Sequence, residues 1–298
     1  MLKNLISIAL IFSFAFTIFA HDKHESGQDI TVRTQKVGGN VSMLQGRGGN
    51  VGASTGADGI LIVDDDYADV SPKLAEALKA LGSEKPRFIL NTHWHGDHTE
   101  GNKYFGNSGS LIIAHANVRR MLSMNISAGG RTFNAYPASG LPVITYEQAI
   151  SIHFNGEEIR AVHFPNGHTN GDSIIFFTKS NVVHMGDHFF KDRFPFVDLM
   201  SGGSVQGLMR NVADVIKQVP ADVKIIPGHG SLASLDDLKT YQQMLIETTD
   251  IVQKGIISGK TLEGLKKDGL PGKYKSWGTG FIKTDSWIET IHNSLTKK

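Results

Sequence analysis

The chain has 298 residues, a formal net charge of +1, 40% hydrophobic and 20% charged residues, 33 Gly, 13 His and no Cys. An apolar fraction that high with so little net charge excludes a disordered chain, and near-neutrality gives no electrostatic footprint for nucleic acid. The absence of Cys removes disulfides, thiolate nucleophiles, Cys-based zinc fingers and iron–sulfur clusters, so any metal must be held by nitrogen and oxygen.

The N-terminus carries one cation at Lys3, an apolar run from Leu5 to Phe19 and a small residue at Ala20. That pattern is a secretory signal peptide over residues 1–20, too short for a bilayer span of roughly 20 apolar residues. It predicts export to the periplasm or outside the cell, with a loose polar mature terminus over 21–29 and no stable membrane insertion. Short strands are expected over 30–37 and 40–45, followed by turn chemistry over 46–50 in which Gly48 and Gly49 could overhang a site as a hairpin flap. The apolar run 59–63 reads as a buried strand ending in Asp64, Asp65 and Asp66. Leu74, Leu78 and Leu81 have helical spacing over 71–81, with Ser71 as the expected cap. Strands are expected over 87–91 and 111–114, then a helix over 117–124.

Residues 125–142 have no clear period and read as a long loop, of the kind that is usually functional or mobile. Strands follow over 149–153, 159–164, 173–178, 182–185 and 223–226, with helices over 205–219, 234–254 and 286–295. Ser234 and Asp237 have the spacing of a capping pair. Strands and helices alternate in two successive runs without a Pro/Gly/Ser linker. That predicts one layered α/β domain over 30–298.

The chemistry concentrates in Thr92-His93-Trp94-His95-Gly96-Asp97-His98, directly after a buried strand. His93 and His95 alternate, so on extended backbone their rings project to one side. After the turn at Gly96, Asp97 and His98 can converge on the same cavity. Neutral imidazole and carboxylate are the ligands divalent zinc accepts where no thiolate exists.

This segment resembles the metallo-β-lactamase superfamily, whose mark is H-x-H-x-D-H after a strand. The resemblance continues in order through Pro165-Asn166-Gly167-His168-Thr169, His184-Met185-Gly186-Asp187 and Ile226-Pro227-Gly228-His229-Gly230. It covers roughly residues 30–235 and implies a four-layer αββα sandwich. Carried over position by position, it implies a first metal on His93, His95 and His168 and a second on Asp97, His98 and His229, with Asp187 bridging them. It implies two zinc ions, with iron as the alternative, and attack on a small carbonyl substrate by a metal-bound hydroxide that Asp97 orients. The substrate would be a β-lactam or other amide, a lactone or an ester.

Departures from the family pattern bear on substrate. The lactamases with a Cys ligand are excluded, since position 187 is Asp, and their carboxylate-gripping Lys would fall at Phe190. A bridging Asp is instead typical of hydroxyacylglutathione hydrolases, lactonases, tRNA-trimming endonucleases and phosphodiesterases, while some exported members with Asp are credited with β-lactam hydrolysis. A thioesterase, an iron-dependent sulfur dioxygenase and a periplasmic metal-binding accessory protein are the alternatives. Lys191 and Arg193, in an aromatic and cationic loop after Asp187, either grip an anionic substrate group or are ordinary solvated charges. His188 is a candidate to orient the adjacent Asp187. Trp94, between two ligands, is expected to pack in the core, and His115, His153, His163 and His184 to be structural.

Overall fold

The computed structural model describes residues 30–128 and 131–297. The expected signal peptide and mature terminus lie outside the described residues. β1 (Arg33–Gly38), β2 (Val41–Gln45), β3 (Val51–Gly56) and β4 (Gly59–Val63) form an antiparallel meander. After α1 (Ser71–Ala80), β5 (Phe88–Asn91) adds parallel to β4. The short helices α2 (Gly96–Thr99) and α3 (Asn102–Asn107) lead to β6 (Leu111–His115), parallel to β5, and then to α4 (Ala116–Leu122). A small hairpin, β7 (Ile126–Ala128) and β8 (Arg131–Phe133), precedes β9 (Ile144–Tyr146), which completes a seven-stranded sheet ordered β1-β2-β3-β4-β5-β6-β9.

The second half builds a five-stranded sheet from β10 (Ala149–Phe154), β11 (Glu157–His163), β12 (Ser173–Phe177), β13 (Val182–His184) and β14 (Lys224–Ile226), with α5 (Val205–Gln218) between β13 and β14. It closes with α6 (Leu235–Ile257), α7 (Leu262–Asp268) and α8 (Thr284–Thr296).

Alternation along each strand divides the apolar side chains between two faces. Met43, Leu61, Val63, Leu90 and Ile113 of the first sheet meet Ile159, Ile175, Phe177 and Ile226 of the second. On the outer face of the first sheet, Ile60, Ile62, Ile89 and Ile112 pack on Leu74 and Leu78 of α1 and Phe105 of α3. On the outer face of the second, Ile174, Val183 and Ile225 pack on Leu208 and Val212 of α5, Leu238 and Leu245 of α6, and Trp287 and Ile288 of α8. The layers therefore run helix, sheet, sheet, helix, as the resemblance implied.

β11 and β13 are each antiparallel to β12, so they run in the same direction, and β14 runs parallel to β13. The chain after each of these three strands leaves the sheet at one rim.

Local expectations differ from the structure in several places. Ser71 is the first residue of α1 and not its cap; Val70 holds that position without a side-chain hydrogen bond, while Pro72 fits the first turn because it has no N–H to satisfy. The stretch 125–142 is not an unbroken loop, since it holds the β7–β8 hairpin. β3 and α7 had drawn no expectation: β3 is short and rich in Gly and Ser, and α7 is short and strongly charged. The 46–50 turn lies directly against the ligand-bearing segment, with Gly49 N–H donating to the Asp97 carbonyl. Gly49 is buried, and a Cβ there would run into the His98 ring. By contrast, the capping box of α6 forms as expected, with the Ser234 hydroxyl and the Asp237 carboxylate each bonded to the other's backbone N–H.

Candidate metal centre

All four ligand-bearing segments begin where a strand ends. β5 delivers Thr92 to His98 at its C-terminal end, with His95 extended and capping α2, which carries Asp97 and His98. The loops after β11, β13 and β14 bring His168, Asp187 and His229 to the same rim. Asn50, from the first sheet, locks the two halves together: its amide donates to the Pro227 and Gly230 carbonyls and its N–H to that of Gly228. At 228 a Cβ would collide with Asp187 Oδ1, so glycine lets the His229 loop close onto that carboxylate.

All seven expected ligands come together, in two adjoining groups. His93, His95, His168 and Asp187 converge within 4.8 Å of one another, and so do Asp97, His98 and His229. Asp187 belongs to both sides. Its Oδ2 lies 3.4 Å from His168 Nε2 and 3.8 Å from His93 Nε2. Its Oδ1 lies 3.1 Å from His98 Nε2 and 3.4 Å from His229 Nε2.

Hydrogen bonds on the far side of each ring decide which nitrogen faces inward. His98 Nδ1–H donates to Asp64 Oδ2 at 2.7 Å, leaving Nε2 for the cluster. The Thr92 hydroxyl donates to the same Asp64 oxygen, so its own oxygen is free to accept from His93 Nδ1–H at 3.0 Å. His95 Nε2–H donates to Asp198 Oδ2 at 3.0 Å, and His168 Nδ1–H to the Phe196 carbonyl at 2.8 Å. His95 Nδ1 and His168 Nε2 then face each other at 2.8 Å, two lone pairs that only a cation, a proton or a metal ion, lets lie so close. His93 Nε2 and Asp187 Oδ1 are buried without a hydrogen-bond partner. Each cluster thus holds a buried ligand atom without a hydrogen-bond partner, His93 Nε2 in the first and Asp187 Oδ1 facing the second, and this donor set fits a divalent cation.

The proton balance of the two groups differs. Burial, with His98 nearby, pushes His93 well below the usual imidazole range. Burial likewise takes His168 down to about 4, against the pull of Asp187. For His95, burial is outweighed by the Asp198 carboxylate, and its pKa rises. In the second group burial is again opposed, but Asp187 and Asp97 hold His229 up at about 9, and with Asp64 they hold His98 well above the ordinary value. The carboxylates answer in kind: burial disfavours the charge on Asp97 and Asp187, yet the surrounding imidazoles hold both well below the usual range. Without metal, the carboxylates around His98 and His229 favour their protonated forms.

The side chains of Lys191 and Arg193 turn to other partners, although the Lys191 N–H donates to the His229 carbonyl. Lys191 Nζ donates to the Leu232 carbonyl and pairs with Asp237 Oδ2 at 3.2 Å, at the start of α6. Arg193 Nε donates to the Lys191 carbonyl, and its aliphatic stem lies against Gly280. The reading of these cations as structural is the one the contacts favour. His188 does not orient Asp187: its Nε2 accepts from Asn211 Nδ2 at 3.0 Å and lies 3.8 Å from Asp172. Trp94 packs with Ala114, Val118 and Leu122, and His184 bonds the Asn50 carbonyl, both as expected.

Asp64 and Asp198 were not singled out in the sequence. Asp64 carried a readable signal, since a carboxylate directly after a buried strand is the same signature as Thr92–His98. Asp198, in a loop without periodicity, carried none.

The fold and this centre define a class: a two-sheet sandwich with paired His/Asp clusters at one rim. The chain belongs to the metallo-beta-lactamase superfamily, whose model matches residues 38–229. Lactamase-like protein nscB of Arthroderma benhamiae is 24% identical over 238 residues, covering 78% of this chain and 47% of that protein. The chain thus spans about half the length of this curated relative. The DIM-1 metallo-beta-lactamase superimposes with a TM-score of 0.60 at 19% identity, covering 74% of this chain and 99% of that one. A double mutant of the sec-alkyl sulfatase PisA1 gives a TM-score of 0.65 at 13% identity, covering 89% of this chain and 50% of that one. At these identities the two structures share the fold.

Proposed function

We propose that the protein is an exported hydrolase that binds two zinc ions and cleaves a small carbonyl substrate, with a β-lactam as the most specific candidate and other amides, lactones and esters beside it. The observation that carries this reading is the division of the Asp187 carboxylate, one oxygen toward each cluster. Zinc held there would supply Lewis acidity and an acidified water at neutral pH. His93, His95 and His168 would hold the first ion and Asp97, His98 and His229 the second, with Asp187 between them.

The chain's own groups have separate tasks. Asp97 is the more solvent-open carboxylate of the centre, 22% exposed against 5% for Asp187. Its neighbours His98 and His229 keep it ionised, so it can accept a hydrogen bond from an incoming water and orient it toward the substrate carbonyl. Asp64 fixes His98 directly and His93 through Thr92. Export is supported by the N-terminal sequence pattern. Among the described residues no helix is long and apolar enough to cross a membrane.

A panel of nitrocefin, lactones, thioesters and phosphodiesters, assayed with zinc and after chelation, tests the proposal. Zinc-dependent turnover of a β-lactam, lactone or ester is expected. Undiminished turnover in metal-free protein would refute it.

A further inference from the structure

The loop between Asp187 and α5 reaches back across the rim and binds the first cluster from behind. The Phe196 carbonyl accepts from His168 Nδ1–H at 2.8 Å. Asp198 N–H donates to the His168 carbonyl, and Asn170 N–H to that of Ser201, both at 2.9 Å. Ser204 N–H donates to the Gly167 carbonyl at 2.9 Å. The part of the loop from Phe196 to Ser204 is thus laced to residues 167–170. A side-chain bond joins it to β5's segment, His95 Nε2 to Asp198 Oδ2, with His95 15% and Asp198 13% exposed. The other oxygen of Asp198 accepts from Met200 N–H and Ser201 N–H, which fixes the carboxylate plane.

The same loop is seated from the other side by the C-terminal helices, which lie beyond the family match ending at residue 229. Phe194 stacks on Trp287 of α8, with centroids 5.9 Å apart, and its N–H donates to the Trp277 carbonyl. Lys297 Nζ donates to the Leu199 carbonyl at 2.6 Å, and Ser294 Oγ accepts from Val205 N–H at 3.0 Å.

We infer that Asp198 is a positioning residue for the first metal: it holds His95 with Nε2 protonated and Nδ1 aimed into the cluster, and α8 is the buttress that keeps its loop in place. The inference rests on the metal reading above. An imidazole has two nitrogens, and an undirected His95 could present either one or turn away. A carboxylate at the far nitrogen fixes tautomer and ring plane and makes the inward nitrogen a stronger donor. Phe196 does the same for His168 through a carbonyl. Two of the first ion's three imidazoles are thereby set by one loop.

The test is stepwise zinc affinity, measured by competition with a chromophoric chelator, together with long-range nitrogen–proton NMR of the histidine rings. Asp198→Ala should weaken one of the two zinc sites by about 10- to 100-fold, leave the other near wild type, and change the tautomer signature of His95. Asp198→Asn keeps the one oxygen that accepts from the Met200 and Ser201 N–H groups but sets an NH2 against His95 Nε2; it guards against misfolding of the turn and should weaken the same site. Replacing Ser294 and Lys297 together by Ala, remote from the ligands, should weaken the same site by less than Asp198→Ala. Wild-type affinity at both sites and an unchanged His95 signature in Asp198→Ala would reduce Asp198 to a turn staple and overturn the inference. Unchanged affinity in the Ser294/Lys297 variant would remove α8 from it. A wild-type chain that takes up no zinc would refute the metal reading itself, an outcome distinct from a loaded wild type with an indifferent variant.

Discussion

The two halves of the metal centre are built from the same residue types but balanced differently. In the first, His93 and His168 are pushed below the usual imidazole range, and only His95, facing Asp198, is pushed up. In the second, both His98 and His229 are pushed up by the carboxylates around them. The first half is thus mostly bare lone pairs, oriented by a neutral hydroxyl, a carbonyl and one carboxylate. The second half is an ion-paired group that keeps protons where a metal would sit. Burial alone predicts neutral imidazoles in both halves; the placement of Asp64, Asp97 and Asp187 separates them. If metal binds as proposed, uptake in the second half would be an exchange of ion for protons, whereas in the first it would be closer to simple filling.

The comparison breaks most completely at Asp187, which serves both halves. Asp187→Ala should lower zinc content from two ions to one or none and cut hydrolysis by more than about 100-fold, beyond the 10- to 100-fold usual for an outer-shell partner. Elemental analysis beside a turnover assay checks both. Retention of two ions would mean that the halves do not depend on a shared ligand.

Asp64→Asn should act unequally. Asp64 bonds His98 directly but reaches His93 only through Thr92. Its backbone is left-handed, at φ 62°, which Asn tolerates, so the fold should persist. The second site should lose about 10- to 100-fold in zinc affinity and the first less. Equal losses would erase the distinction.

The pH dependence sharpens it further. In metal-free protein His98 and His229 have folded values above the unfolded one. Their stabilisation is fully present below about pH 6.5 and is lost as pH rises through the folded value, about 9 for His229. The melting temperature of chelated protein should therefore fall across that window, while the zinc-loaded protein should change less. Zinc affinity of the second site should rise with pH over the same range, and more steeply than that of the first. Titration calorimetry in buffers of differing ionisation enthalpy would count the protons released, and an equal count at both sites would contradict the account.

The smallest effect is expected outside the centre. Lys191→Ala removes an ion pair with Asp237, whose carboxylate side chain is 35% exposed, so stability should drop by no more than about 1 kcal/mol. KM for an anionic substrate should stay unchanged. A large rise in KM would restore Lys191 as a substrate contact.

Much of this was legible in the sequence because ligand chemistry is local. His93, His95, Asp97 and His98 fall within six positions after an apolar strand, and the later ligands each follow a strand of their own. Alternating buried strands and amphipathic helices predicted one layered α/β domain, and the αββα order was implied by the resemblance to the superfamily. What was not legible depends on contacts distant in sequence. The Asp198 to His95 bond spans 103 positions, and that between Lys191 and Asp237 spans 46. How closely the turn at Gly48 and Gly49 packs on His98 was likewise not legible, since turn composition gives no hint of that contact. Ser71 was misplaced by one residue because Ser serves equally as a cap and as the first residue before a proline.

The central claim is that two metal ions share Asp187 within one rim. Metal content of the purified wild-type chain, dialysed against buffered zinc and measured by elemental analysis, tests it most directly. The account predicts two zinc ions per chain. One ion or none would contradict it.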